Sequence, residues 1–500
     1  METQFHKTVY PHLSQAIYQV QDQEQTMELR LPEGLPDIGR ILGVWGQPLV
    51  RSKEWQSDSM RVNCGVMAWV MYAPEDGSSP RCAQAWIPFQ QSFSHNEGNR
   101  DATVQVQCLL RSIDGRTLSA RKLMLRAVIN ILAQAWVDAE TDIYTPCELP
   151  ADICLLQNTY PIRVLKEAGE KPFVMDEELT MPSASPELQN IIRYDMRCEL
   201  IDKKVLTDKV VFRGVGVLHI LYLGADGGLH NCNLDIPISQ YGNLNGEYAE
   251  DAAAEIEIAL TGLELDYDTE GRLRLKSGLT GQYRIYTNDK IALAQDVYSP
   301  KRTVTPQLQE LKIPAVLDKR CVSVPVQQNI SNEVGRIVDT AFYPDQPRCE
   351  REQDKVRTVL SGVFHILRMD TEGQLQPMQL RWQTEQMLEA APESVVQMSV
   401  NVSGTPVLSE TADGLYMSCD LLLDQETLAN RGIPMLTGVE MGAEQEPDPQ
   451  RPSLILRRAG ENSLWELAKE NGSTVDAICR ANDITDDADL GQQMLLIPVC

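Results

Sequence analysis

Long apolar runs are missing. No stretch of this chain approaches the roughly 18 consecutive apolar residues that a spanning helix needs, so none is expected to cross a bilayer. The Gln-rich, amphiphilic residues 1–27 contain no apolar run either, and a secretory signal is not expected there. None of the twelve cysteines stands in a C-x-x-C pair, and Cys64, Cys108, Cys198 and Cys419 fall inside apolar strand patterns. Reduced, buried thiols are expected rather than a disulfide framework. Basic residues are in deficit: 45 Lys and Arg stand against 71 Asp and Glu, a formal charge of −26 spread along the chain. Such a field repels nucleic acid and anionic lipid. Histidines are few, and His6, His12, His95 and His230 form no H-E-x-x-H or triad-like set. Gly214, Gly216 and the glycines at 224–228 lie in a strand and a hairpin turn, so they form no phosphate loop between strand and helix. No catalytic residue, cofactor or metal site is expected, and the chain does not read as an enzyme.

Internal repetition is present. The segment Pro36-Asp37-Ile38-Gly39-Arg40-Ile41-Leu42 returns as Pro186-Glu187-Leu188-Gln189-Asn190-Ile191-Ile192, and more loosely as Asn332-Glu333-Val334-Gly335-Arg336-Ile337-Val338. Ile191 follows Ile41 by 150 residues, and Ile337 follows Ile191 by 146. The turns Asp76-Gly77, Asp226-Gly227 and Glu372-Gly373 keep the same two offsets. A period this long implies three tandem globular copies rather than a solenoid. The runs 60–72, 210–223 and 356–367 are apolar on both faces, as in strands buried mid-sheet, and each leads through its acidic-Gly turn into a returning strand. The second half of each copy alternates, for example Val396, Met398, Val400 and Val402 with polar residues between, around turns expected at Asp114-Gly115, Glu270-Gly271 and Asp413-Gly414. An antiparallel β-sandwich per copy is the simplest fold. His219 and His365 share a repeat position with Trp69, which marks it as a packing position.

After residue 452 the pattern becomes strand–helix–helix–strand. Ser463-Leu464-Trp465-Glu466 is a capping box, Leu464, Leu467 and Ala468 line one helical face, and Asn471-Gly472 ends the helix. Val475, Ile478 and Ala481 form the inner face of a second helix closing at Asn482, and 494–498 is the last strand. Trp465 is expected to supply much of this small core. From Ser453 onward eight acids face four bases. Asp483, Asp486, Asp487 and Asp489 lack the spacing, central Gly and closing Glu of an EF-hand, so a solvated or partner-facing patch is expected rather than a calcium site.

The proline box, the long strand ending in Tyr72 or Tyr222 and the acidic-Gly turn resemble the SPOCS domain (formerly DUF3794) of endospore envelope proteins. The order and motifs of the tail, S-L-W-E-L-A and G-Q-x-x-L-x-I-P, resemble a LysM module. The implied layout is an N-terminal segment 1–24, SPOCS repeats at 25–165, 166–312 and a divergent 313–443, a linker 444–452 and a LysM module 453–499. The fold class is mainly β, three tandem antiparallel sandwich-like repeats before a small βααβ module. The third copy is expected to be the junction on which the tail is hinged. The LysM resemblance places a ligand groove between Gly460, Glu461, Asn462, Ser463 and Leu464 on one loop and Ile484, Thr485, Asp486 and Asp487 on the other. Three SPOCS copies before LysM resemble the SipL-like family of spore morphogenetic proteins. That resemblance implies a cytoplasmic adaptor of the mother cell, at the forespore surface and in the spore coat. Its LysM module would contact the basement-layer ATPase (SpoIVA-like), its repeats other coat proteins. Peptidoglycan of cortex or wall is the alternative ligand.

Overall fold

A computed structural model describes residues 2–268, 272–330, 335–411, 414–445, 450–460, 462–485 and 493–500. The described residues are mainly β, built of small antiparallel sheets, with two short helices at Leu464–Asn471 and Val475–Asn482. Each copy is a pair of three-stranded sheets, the third with its edge strand split. In unit one a meander of Ile38–Trp55, Ser59–Pro74 and Arg81–Ser94 forms one sheet. The other is made by His6–Arg30, Lys122–Thr145 and Ala102–Ser119, in that spatial order. Unit two repeats this with the meander Leu188–Leu206, Lys209–Gly224, Leu229–Asn243 and the sheet Cys154–Leu179, Leu273–Tyr298, Ala253–Tyr267. In unit three Val316–Ile330, Gly414–Ala429 and Ser394–Thr411 make the second sheet. Its meander splits the first strand into Arg336–Pro344 and Arg348–Glu352, beside Lys355–Met369 and Leu375–Glu389. Pro344 and Pro347 bracket the break, where the lost N–H groups cannot continue a ladder.

The opening strand of each unit pairs along its length with that unit's last strand. The boundaries expected at 24/25 and 165/166 therefore fall inside His6–Arg30 and Cys154–Leu179, and the first two units begin earlier than the repeated landmarks suggested. Asp114-Gly115 is likewise no turn: both residues lie within Ala102–Ser119, and the chain reverses at Ala120-Arg121. A Cβ at Gly115 would come within 3.1 Å of Leu125 and 3.2 Å of Val44, so the position is tight for any larger residue. Glu270, Gly271 and Asp413 lie outside the described residues, as do Asn332, Glu333 and Val334.

The recurring spacing of the motif in units one and two has a local cause. Tyr72 donates to the carbonyl of Pro36 at 2.9 Å, and Tyr222 to that of Pro186 at 3.3 Å, so the strand-ending tyrosine clamps the box before it. In unit three Arg368 replaces the tyrosine where Asn332 replaces the proline. The turn glycines Gly77, Gly227 and Gly373 take φ of 75°, 77° and 77°, a left-handed conformation that a side chain disfavours.

Why the middle strands are apolar on both faces is a matter of tertiary structure. Leu218, Ile220 and Tyr222 belong to the unit-two core, while Leu221 and Leu223 pack into the unit-one core together with Leu367 and Tyr343 of unit three. The meander of unit two thus has its second face covered by its neighbours. Repeat-equivalent residues make these contacts in a closed order. Met196 N–H donates to Gln47 Oε1 at 3.0 Å, Arg197 Nη2 to the Phe342 carbonyl at 3.3 Å, and Gly46 N–H to Tyr343 Oη at 3.1 Å. Unit one therefore holds two, two holds three, and three holds one. The Trp69/His219/His365 position repeats the pattern. Trp69 packs edge-on against Tyr194 at 5.1 Å, His219 Nε2 lies 2.8 Å from Asp339 Oδ1, and His365 Nδ1 lies 3.2 Å from the Val44 carbonyl. A further sheet, Glu2–Gln4 with Ile433–Glu444 and Arg302–Leu311, clasps the chain's first strand to the connectors around unit three.

One joint of this ring is ionic. Arg193 (2% exposed) donates Nε to Asp339 (1% exposed) at 2.9 Å, and lies with its guanidinium carbon 5.1 Å from the Trp45 ring centroid. His219 bridges Asp339 and Asn233, with Nδ1 2.7 Å from Asn233 Oδ1. Asn233 Nδ2 donates to Thr405, which leaves its oxygen facing the imidazole, so both ring nitrogens meet acceptors. Burial works against ionisation of Asp339, yet Arg193 and His219 outweigh it and hold the carboxyl down to about 2. Burial also lowers His219, but Asp339 outweighs it and the imidazole sits above its ordinary value.

Candidate functional site: the tail module

The tail has the expected order. Leu454–Arg458 pairs antiparallel with Met494–Pro498, and between them lie α1 (Leu464–Asn471) and α2 (Val475–Asn482). The capping box closes as the sequence suggests: Glu466 N–H donates to Ser463 Oγ at 3.2 Å, and Ser463 N–H to Glu466 Oε2 at 2.8 Å. Gly472 ends α1 at φ 61°, and Asp483 ends α2 at φ 52°, a conformation that Asp tolerates better than most residues. Asn482 fixes α2 to the last strand. Its Nδ2 donates to the Leu496 carbonyl at 2.7 Å, and its Oδ1 accepts the Leu496 N–H at 2.8 Å.

The tail core is Leu464, Leu467, Ala468, Ile478, Leu495 and Ile497, joined by Tyr298 of unit two. Trp465 is not the centre of that core. Half-buried at its margin, it packs edge-on against Tyr298 at 4.8 Å and donates Nε1 to Asp296 Oδ2 at 2.8 Å. Lys469 Nζ reaches the same carboxylate at 2.7 Å, and Tyr298 Oη donates to the Ser473 carbonyl at 3.0 Å. Burial raises Asp296, but the hydrogen bonds from Lys469 and Trp465 prevail and leave it below the usual carboxylate range. The tail is therefore docked on unit two, whereas hinging on unit three was expected. Sequence adjacency was the misleading guide: Tyr298 supplies the aromatic face that Trp465 needs.

Of the expected groove residues, Glu461, Asp486 and Asp487 lie outside the described residues. Gly460, Ser463 and Thr485 are exposed and Asn462 is partly so. Leu464 is buried and belongs to the core, Ile484 packs beside that core, and Ser463 is occupied in the cap. The two loops thus flank one apolar cluster. Among the described residues, Arg457 pairs with Glu470 at 2.7 Å, Lys469 with Asp296 at 2.7 Å and Arg480 more loosely with Asp476 at 3.9 Å, so three of the four tail bases are engaged within this chain. Asp296 and Tyr298 escaped the sequence reading; only Tyr298-Ser299-Pro300 hinted at a connector there.

Elsewhere, Cys64 and Cys419 are buried and Cys108 and Cys198 partly so, with burial pushing the thiols of Cys198 and Cys419 up to about 12. Among the described residues no helix is long and apolar enough to cross a membrane.

The repeating pair of sheets and the docked tail define a multi-unit, mainly β protein. The family described as SipL, SPOCS domain matches residues 187–267, which are the meander of unit two and the strand Ala253–Tyr267 that follows it. This similarity supports a SipL-like family and with it a sporulation-related protein. No curated protein matches. No solved structure matches.

Proposed function

We propose that this chain is a non-enzymatic adaptor of endospore coat assembly, with three SPOCS-type units and a LysM-type tail that links the coat basement layer to the forespore surface. The observation that carries the reading is the recurrence, in units one and three, of the strand order in which the family match falls in unit two. Three units interlocked by side chain–backbone contacts at equivalent positions make a rigid platform, and a platform with a separate end module can engage two partners at once. The partner of the tail is the basement-layer ATPase, met through the loops 460–464 and 484–487. The acidic excess of the tail favours a protein with a basic patch over neutral glycan.

The test is a fluorescent fusion of the full chain in a sporulating cell, with a pull-down of purified full chain against the basement-layer ATPase and against peptidoglycan. A signal at the forespore surface and salt-sensitive retention of the ATPase support the proposal. Diffuse signal, or salt-insensitive pelleting with peptidoglycan alone, overturns it, the latter in favour of a cortex- or wall-binding protein.

A further inference from the structure

The break at Pro344 and Pro347 leaves a groove of about 740 Å³ between the second sheet of unit one and the outer face of the unit-three meander. At the corresponding joint between units one and two, Arg51 covers this face: it stacks on Trp86 at 4.6 Å and donates to the Thr261 carbonyl at 3.0 Å. Five arginines and four carboxylates line the open groove, in a chain with 71 acids and 45 bases. Arg111 and Arg126, from unit one, are tightly paired, with Asp22 and Glu24 at 2.7 Å each. The three from unit three are not. Arg357 stands 3.7 Å from Glu350 and 3.8 Å from Glu385, and its buried Nε has no partner among the described residues. Arg348 and Arg381 are exposed and have no ion pair among the described residues.

Their spacing is that of a strand. Arg348 is paired across from Val359 and Arg381 from Val363, so the guanidinium-bearing rows fall at 357, 359 and 363 of one pleated face. At about 3.3 Å per residue they span roughly 20 Å. A row this long suits an extended chain and is too long to close around one small anion. Guanidinium forks take carboxylates two bonds at a time, and Val359 and Val363 provide an apolar floor between them. The field of the whole chain repels long polyanions, which leaves a short segment with local acid as the ligand that fits.

We propose that this groove docks an extended acidic segment of a protein partner, with carboxylates at alternate positions engaging Arg357, Arg348 and Arg381. The proposal is independent of what the tail binds. The test uses the full chain and a fluorescein-labelled octapeptide of alternating Glu and Thr, read by anisotropy. Saturable binding that weakens with salt is expected. R348E/R381E should weaken it by about tenfold or more, while R320E/R431E, an equal charge change at exposed arginines elsewhere on unit three, leaves it within about twofold. Circular dichroism of both variants should match that of the parent chain. Absence of binding, equal weakening by the two double variants, or inorganic phosphate binding as tightly as the peptide would each overturn the assignment.

Discussion

Asp339→Asn tests whether the ring of units is locked by its buried charges. The substitution keeps the shape of the side chain and removes the carboxylate that accepts from Arg193 at 2.9 Å and faces His219 at 2.8 Å. Asp195, 14% exposed and 3.2 Å from Arg193 Nη1, is then the remaining counter-charge of Arg193. Breaking a buried pair on one side costs about 3–5 kcal/mol, because the surviving charge is left desolvated and uncompensated. At about 1.4 kcal/mol per decade, the lower bound corresponds to roughly a hundredfold easier local opening. Hydrogen exchange is the suitable assay, since a chain of several units need not unfold in one step. Amides of Leu188–Leu206 and Arg336–Pro344 should exchange about two decades faster, with the tail helices Leu464–Asn471 and Val475–Asn482 little changed. A paired R193M/D339L replacement should recover most of the protection, since apolar residues of similar size can replace a buried ion pair at little cost. Exchange altered by less than about threefold in Asp339→Asn would refute the ionic lock.

The two histidines of the ring should give opposite pH limbs. His219 is raised in the folded state, so its stabilisation is complete below the unfolded value of about 6.5 and is lost as pH rises through the folded value. Burial lowers His365 to about 4, so its contribution is present above about 6.5 and lost as pH falls toward 4; His219→Asn and His365→Phe should each flatten one limb of a thermal-melt series. Asp296→Ala removes the shared acceptor of Trp465 and Lys469, and should weaken the tail's dock by about 2 kcal/mol, seen as a larger radius of gyration in solution scattering with tail helicity intact. Gly43→Ala would place a Cβ 2.2 Å from the buried Trp45 ring, and should lower the urea midpoint in line with an overpacking cost of about 1–3 kcal/mol or more.

Much of the local structure was legible in the residues themselves. The acidic-Gly turns at Gly77, Gly227 and Gly373, the capping box at Ser463 and the Gly472 stop depend on neighbours within a few residues, so composition and spacing suffice to place them. The offsets of 150 and 146 residues between the repeated landmarks led to the expectation of three copies. What the residues could not reveal was which surfaces those units would share. His6–Arg30 looked like a leading segment because its partner, Lys122–Thr145, lies about a hundred residues away. The apolar second face of 210–223 implied burial without saying that unit one covers it. The tail docks on Tyr298 and Asp296, some 170 residues upstream of Trp465 and Lys469, rather than on the unit that precedes it. Such contacts carry no periodicity and no cap. They depend on which apolar and charged faces remain uncovered once each unit has closed its own sheets, and only the assembled tertiary structure decides that.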